Sequence, residues 1–256
     1  MASPTRKSDA LCLAGAALLA ALAIFSLFCG RYPLSPAGLL AGDEMQWRVF
    51  WTLRVSRTVV GVVGGFALGA AGFVYQTVFR NPLASPDVIG VSSGASAGAA
   101  AGILFLSGAA VTASAFAGAL AAVGLALGLS ALDRSGRHGT VVLAGIAVHA
   151  LAQTVLMCLK LTADPERELA SIEYWIMGSL NGISGYSIGG SLALCAVCLA
   201  VLFLLHRQIL LLAAEEGEAR MLGVEVGRLR LAVLLAATLA VACVVSLSGL
   251  ISFVGL

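Results

Sequence analysis

The chain is short of charge. Its 15 basic and 13 acidic residues make up only 11% of 256 positions, against roughly 25% in a soluble domain. Lysine is almost absent, with Lys7 and Lys160 its only two examples. Net charge is +2 and no basic run occurs, which excludes an electrostatic nucleic-acid binder. No G-x-x-x-x-G-K-[ST] occurs, so the chain carries no nucleotide P-loop. What is there is apolar: 60% of residues are hydrophobic and mean hydropathy is +1.01. A water-soluble globule of this size has too little interior to hide that surface, and a disordered chain has too little charge. The composition defines an integral membrane protein of many helices.

A bilayer crossing takes about 20 mostly apolar residues. Ala10 to Cys29 is the first such run; it is too long for a signal-peptide core, and no clear A-x-A cleavage site follows it. Thr58 to Val78 is the second. Val88 to Leu132 is free of charge until its end and suits two helices with a turn near Ser107-Gly108. Spans five, six and seven are expected at about Thr140 to Leu159, Ser187 to Leu205 and Leu231 to Leu250. With the N-terminus cytoplasmic, the inner segments hold Arg6, Lys7, Arg80, Arg134, Arg137, Arg207, Arg220, Arg228 and Arg230. The outer ones hold Arg31, Arg48, Arg54, Arg57, Lys160 and Arg167. The excess inside favours that orientation.

Ionisable residues are nearly missing from the spans, which argues against ion relays; His149 is the one candidate, and a lone helical histidine reads first as a packing residue. Cys195 and Cys198 form a CxxC inside an apolar run and read as small packing residues rather than a metal or redox pair. Glycines recur every fourth position at Gly61, Gly65 and Gly69, and again at Gly94, Gly98 and Gly102. Small residues on one helical face predict close backbone packing in both places.

Four polar segments interrupt the apolar runs. Leu53-Arg54-Val55-Ser56-Arg57 places two arginines at a helix start, where the macrodipole disfavours them; they read as headgroup anchors or as a dock for acidic groups on a partner. Arg80-Asn81-Pro82-Leu83-Ala84-Ser85-Pro86-Asp87, followed by Gly90 and Ser92-Ser93-Gly94, predicts a rigid proline-held turn. Glu173-Tyr174-Trp175 fits an aromatic belt. Glu215 to Gly223 reads as a short amphipathic cytoplasmic helix closed by glycine.

In this order, together with the closing Ser248-Gly249-Leu250-Ile251-Ser252-Phe253-Val254-Gly255-Leu256, these segments resemble the FecCD-type permeases. Those are the membrane subunits of type II ABC importers for ferric siderophores, haem and cobalamin. The motif turn that carries the resemblance is Asn81, Pro82, Leu83, Pro86, Gly90 and Gly94. One departure is Ser56, where the family usually has proline. The resemblance implies an all-α polytopic transmembrane bundle. Residues 1–256 would form a single permease domain with about seven of an expected ten spans, the C-terminal part being absent.

It implies a transport subunit rather than an enzyme, with no cofactor or metal of its own, multi-pass in the cytoplasmic (inner) membrane. The implied partners are cytosolic ABC ATPase subunits, a periplasmic or lipoprotein substrate-binding protein and a second permease copy, as homodimer or pseudo-dimer, with no nucleic acid. By the family pattern Arg54 and Arg57 dock the binding protein. Glu216, Ala219, Leu222 and Gly223 belong to the ATPase coupling loop. The path is expected at the dimer axis, lined partly by span five. A ferric siderophore is the expected cargo, with haem or cobalamin as alternatives. A non-functional permease fragment and an ion-coupled secondary transporter are the other readings.

Overall fold

The computed structural model describes residues 4–106, 108–132, 139–183, 188–213, 221 and 225–251. Each apolar run becomes a helix, because hydrocarbon offers the backbone no hydrogen-bond partner. The first run forms α1 (Pro4–Phe28). Two short helices, α2 (Pro36–Leu40) and α3 (Glu44–Val49), precede a π-helical turn over Phe50–Val55 that continues into α4 (Ser56–Phe79). A single 3₁₀ turn (Pro86–Ile89) leads to α5 (Val91–Phe105), then α6 (Ala109–Leu132) and α7 (Gly139–Thr162). An exposed helix α8 (Glu168–Met177) precedes α9 (Gly189–Leu204), α10 (His206–Leu211) and α11 (Val226–Ser248). Five helices are long and apolar enough to cross a membrane, and α5 and α9 are shorter apolar ones. The seven expected spans therefore all appear as helices. No strand occurs among the described residues.

The core gathers on α11, whose Val233, Ala237, Ala240, Ala242 and Val245 are fully buried against α4, α6 and α9. Tyr75 of α4 is also fully buried, and its hydroxyl lies 2.6 Å from Thr238 Oγ1. A phenol in an apolar interior needs such a partner. Hydrogen bonds between membrane helices are worth about 0.6 kcal/mol on average and at most about 1.7. We expect Tyr75→Phe and Thr238→Val to show a coupling in that range in a double-mutant cycle, read from denaturant unfolding in detergent. Additive effects would show the bond to be energetically idle.

The two glycine stripes part company. On α5, a Cβ at Gly94 would lie 2.5 Å from Ala122 Cβ and from the Gly118 carbonyl, and one at Gly98 would meet Ser114 and Gly118 main chain. This is the close approach that the spacing predicts. On α4 the expectation fails. Gly65 and Gly69 have nothing within 4 Å, and Gly61 meets only Leu180 Cδ1 at 3.6 Å. They front an open apolar cleft of about 1080 Å³ between α1 and α4. The reason is that α1 leans away, touching the bundle near its C-terminal end, where Ser26 and Thr58 hydroxyls sit 3.3 Å apart.

Candidate functional site

Three separate sequence motifs meet at one end of the bundle. The Arg57 side chain reaches across to donate to the Asn181 carbonyl at 2.6 Å. The Ser179 N–H donates to the Ser248 carbonyl at 2.6 Å. Gly178 and Gly249, both at positive φ (68° and 72°), let the two chain segments touch; a Cβ on Gly249 would collide with the Trp175 carbonyl. Both positions need glycine, because other residues resist positive φ and no side chain fits. The arginine motif, the Tyr174-Trp175 stretch and the end of α11 thus close into one clasp.

Arg54 is also engaged. Its guanidinium donates to the Cys29 carbonyl and, at 3.1 Å, to the Tyr32 carbonyl, tying the end of α1 to the π turn. Arg57 Nε is buried and has no partner among the described residues. Neither arginine forms an ion pair among the described residues. Ser56, which stands where the resemblance expects proline, donates through Oγ to the Trp51 carbonyl at 3.1 Å. The hydroxyl thus adds a side-chain donor to the π turn.

At the opposite end lies the turn from Arg80 to Gly90. Arg80 adopts a left-handed conformation (φ 48°) and its guanidinium donates to the Leu212 carbonyl beyond α10. Asn81 Oδ1 accepts from the Leu83 N–H at 2.9 Å, which folds the turn and leaves Leu83 74% exposed. Pro82 is exposed, whereas Pro86 is buried at the start of the 3₁₀ turn. The Asp87 carboxylate accepts from Ser92 Oγ, at the start of α5. Gly90 has φ 87°, and a Cβ there would lie 3.3 Å from the His149 main-chain nitrogen of α7. Gly145 completes the seat: a Cβ there would lie 2.7 Å from the Val88 carbonyl. The turn is therefore wedged between α5 and α7, a contact on α7 that sequence reasoning missed. Gly94 serves the α5–α6 contact rather than the turn itself. His149 thus meets the turn through its backbone.

The other face of α7 is bare. Leu143, Ile146, Ala147, Ala150, Leu151, Gln153 and Thr154 are exposed. Thr154 donates to the Ala150 carbonyl at 2.9 Å, but Gln153 has no partner among the described residues. In the last turn of α7, Lys160 pairs with Glu173 of α8 at 2.8 Å. Glu216, Ala219, Leu222 and Gly223, expected in a coupling loop, lie outside the described residues. No cluster of three or more metal-ligating side chains occurs among the described residues.

The described residues thus form a polytopic helical bundle, held by a clasp at one end and a proline turn at the other, with one face of α7 uncovered. Residues 18–256 match the model of the FecCD transport family. A cobalamin import system permease protein of Halobacterium salinarum is 37% identical over 80% of this chain and 56% of its own length. A molybdate import system permease protein of Haemophilus influenzae is 31% identical over 93% of this chain and 74% of its own. A solved structure, an inward-facing conformation of a metal-chelate type ABC transporter, superposes with a TM-score of 0.86 at 30% identity, covering 96% of this chain and 78% of that one. The chain belongs to the FecCD transport family, and is a transport component rather than an enzyme. It spans little more than half the length of the first of these relatives.

Proposed function

We propose that the chain is the membrane-spanning permease subunit of an ATP-binding-cassette importer, which carries a metal chelate across the cytoplasmic membrane, with a ferric siderophore as the first cargo to test. The observation that carries this is the bare face of α7. An unpaired amide in hydrocarbon costs several kcal/mol, so Gln153, close to the middle of α7, has to face water or protein. The exposed face of α1 is different: Leu11, Leu18, Leu22, Ile24 and Phe25 suit lipid. We place the translocation path along α7, at the axis of a dimer with a second permease copy. The related permeases are named for cargoes as different as cobalamin and molybdate, so the cargo is decided by uptake measurements rather than by family.

In this reading the N-terminus is cytoplasmic, and the clasp holding Arg54 and Arg57 faces outward. There the two guanidiniums, each with donors to spare beyond their main-chain bonds, meet carboxylates of a substrate-binding protein. The segment holding Glu216, Ala219, Leu222 and Gly223 meets the cytosolic ATPase, which supplies the ATP chemistry this chain lacks. Residues 1–256 form one permease domain. The test is uptake into proteoliposomes by the assembled transporter. Ferric siderophore uptake should require ATP on the ATPase side and the binding protein on the other. Uptake driven by an ion gradient without ATP would overturn the reading in favour of a secondary transporter. A single cysteine replacing Glu166, in a background without native cysteines, should react with an impermeant thiol reagent from outside intact cells. Reaction only after permeabilisation would reverse the orientation.

A further inference from the structure

We infer that a stacked tryptophan pair, Trp47 and Trp51, forms the apolar centre of the docking surface for the extracytoplasmic binding protein. This rests on the importer reading above and adds a surface to it. The rings lie 6.1 Å apart with planes 18° from parallel, and Phe50 packs edge-on to both. They are 43% and 54% exposed, and Leu40 beside them is 90% exposed. Exposed tryptophans on a membrane protein usually mark the headgroup level. Here the geometry places them higher. The apolar part of α1, Asp9–Phe28, is 20 residues long, about the 30 Å of a hydrocarbon core. The Ser26–Thr58 contact sets α1 and α4 level, which brings Phe28, and so the hydrocarbon edge, beside Ser56. Arg54 and Arg57 then fall in the headgroup layer, which is roughly 5–7 Å deep on each side. Trp51 lies five residues beyond Ser56 and Trp47 nine. At about 1.5 Å per residue, slightly less in the π turn, Trp51 reaches the outer limit of that layer. Trp47 stands about 5 Å clear of it.

The platform is also stiff. Trp47 Nε1 donates to the Leu39 carbonyl at 2.8 Å. Asp43 caps α3 by accepting from Met45 and Gln46 N–H at 3.0 and 3.2 Å. Gln46 Nε2 donates to Asp43 Oδ2, and its Oε1 accepts from the Ser35 N–H, which sews the preceding loop to the helix. The Gln46 main-chain N–H, and then its side chain, hold the Asp43 carboxyl below the usual carboxylate value. A surface ordered in advance loses little entropy on binding, and tryptophan dominates such contacts. Arg31, Arg48, Arg54 and Arg57 outnumber Asp43 and Glu44 around it, so the complementary partner is a protein face with an apolar centre and a carboxylate rim.

Two measurements test this. In proteoliposomes of the whole assembly, with Trp175→Phe in this chain and phenylalanine in place of every tryptophan of the ATPase subunits, the fluorescence of Trp47 and Trp51 should be quenched by aqueous iodide and not by phospholipids brominated along the chain. Quenching by the brominated lipid would make the pair a membrane anchor and overturn the proposal. Next, a photo-crosslinking amino acid at position 47 should join an extracytoplasmic solute-binding protein, identified by mass spectrometry. That protein, purified, should bind the assembly at least about thirtyfold more weakly after Trp47→Ala with Trp51→Ala. Arg48→Glu, which leaves the rings in place, should also weaken it, most at low salt. Crosslinks to lipid or to the chain itself alone, or wild-type affinity in these variants, overturn the proposal. If Arg54→Glu with Arg57→Glu weakens binding while the tryptophan variants do not, the importer reading stands and the platform does not. If no binding protein engages any of these positions and ATP drives no uptake, the importer reading itself has failed.

Discussion

Gly98→Leu should abolish folding, while Gly65→Leu, the same change at the same spacing one stripe away, should leave it intact. The difference lies in what each glycine faces. The atoms nearest a Cβ on Gly98 are main chain: the Ser114 carbonyl group and, at 3.1 Å, Gly118 Cα. Main chain cannot rotate aside as a side chain does. Gly118 in turn presses on Gly94 and Gly98 from the other helix, so α5 and α6 interlock from both sides. Core overpacking costs about 1–3 kcal/mol where neighbours yield, and more where they do not. Leucine at position 98 forces the helices apart along their whole contact, and α5 is also a main support of α7 and of the proline turn. Gly65 faces the open cleft beside α1. The check is the yield of monodisperse protein in detergent and its unfolding midpoint. A folded Gly98→Leu protein would show that α5 and α6 are able to part at little cost. Loss of folding in Gly65→Leu would show that something packs on α4 where the cleft now lies.

This contrast also marks how far the sequence could be read. Runs of about 20 apolar residues have one solution in a bilayer, so the crossing helices were legible, and Gly108 (φ 58°) sits between α5 and α6, where a turn was expected, Ser107 lying outside the described residues. A glycine stripe says that a backbone is able to approach, not that one does, and Gly94, Gly98 and Gly102 had neighbours where Gly65 and Gly69 had none. The helical extension above α4 was not foreseen. Its residues are mixed in character, and it is held by a cap at Asp43, a π turn and the Ser56 hydroxyl rather than by a periodic apolar face. The meeting of Arg57 with Asn181 and of Ser179 with Ser248 was equally invisible to spacing, since 124 positions separate the first pair. Sequence motifs marked both places as special, and only the fold showed that they form one clasp. The signal available for the tryptophan platform was the i, i+4 spacing of Trp47 and Trp51 just before the two arginines, which puts both rings on one helical face.

The path assignment carries the second large effect. Ala150 lies near the middle of α7 on its bare face, one turn from both Ala147 and Gln153 and exposed. A tryptophan there meets nothing in the subunit, so Ala150→Trp should fold and associate with the ATPase as the wild type does. If the face borders the path, the indole stands in it, and a second copy related by the dimer axis contributes another. Two added rings in a passage shaped for a bulky chelate should cut ATP-dependent uptake in proteoliposomes at least about tenfold, which corresponds to about 1.4 kcal/mol on the rate-limiting step. Ile24→Trp is the matched control: it makes an equally large side chain on α1, where Ala20, Ala21 and Phe28, one turn away, are exposed and apolar, and should leave uptake unchanged. Gln153→Leu separates the two environments further. On a lipid-facing helix, removing an unpaired amide stabilises the protein; on a water-lined face it leaves stability about level, because the amide was already hydrated. Wild-type uptake by Ala150→Trp, together with a raised unfolding midpoint for Gln153→Leu, would place α7 against lipid and move the path to another face of the bundle.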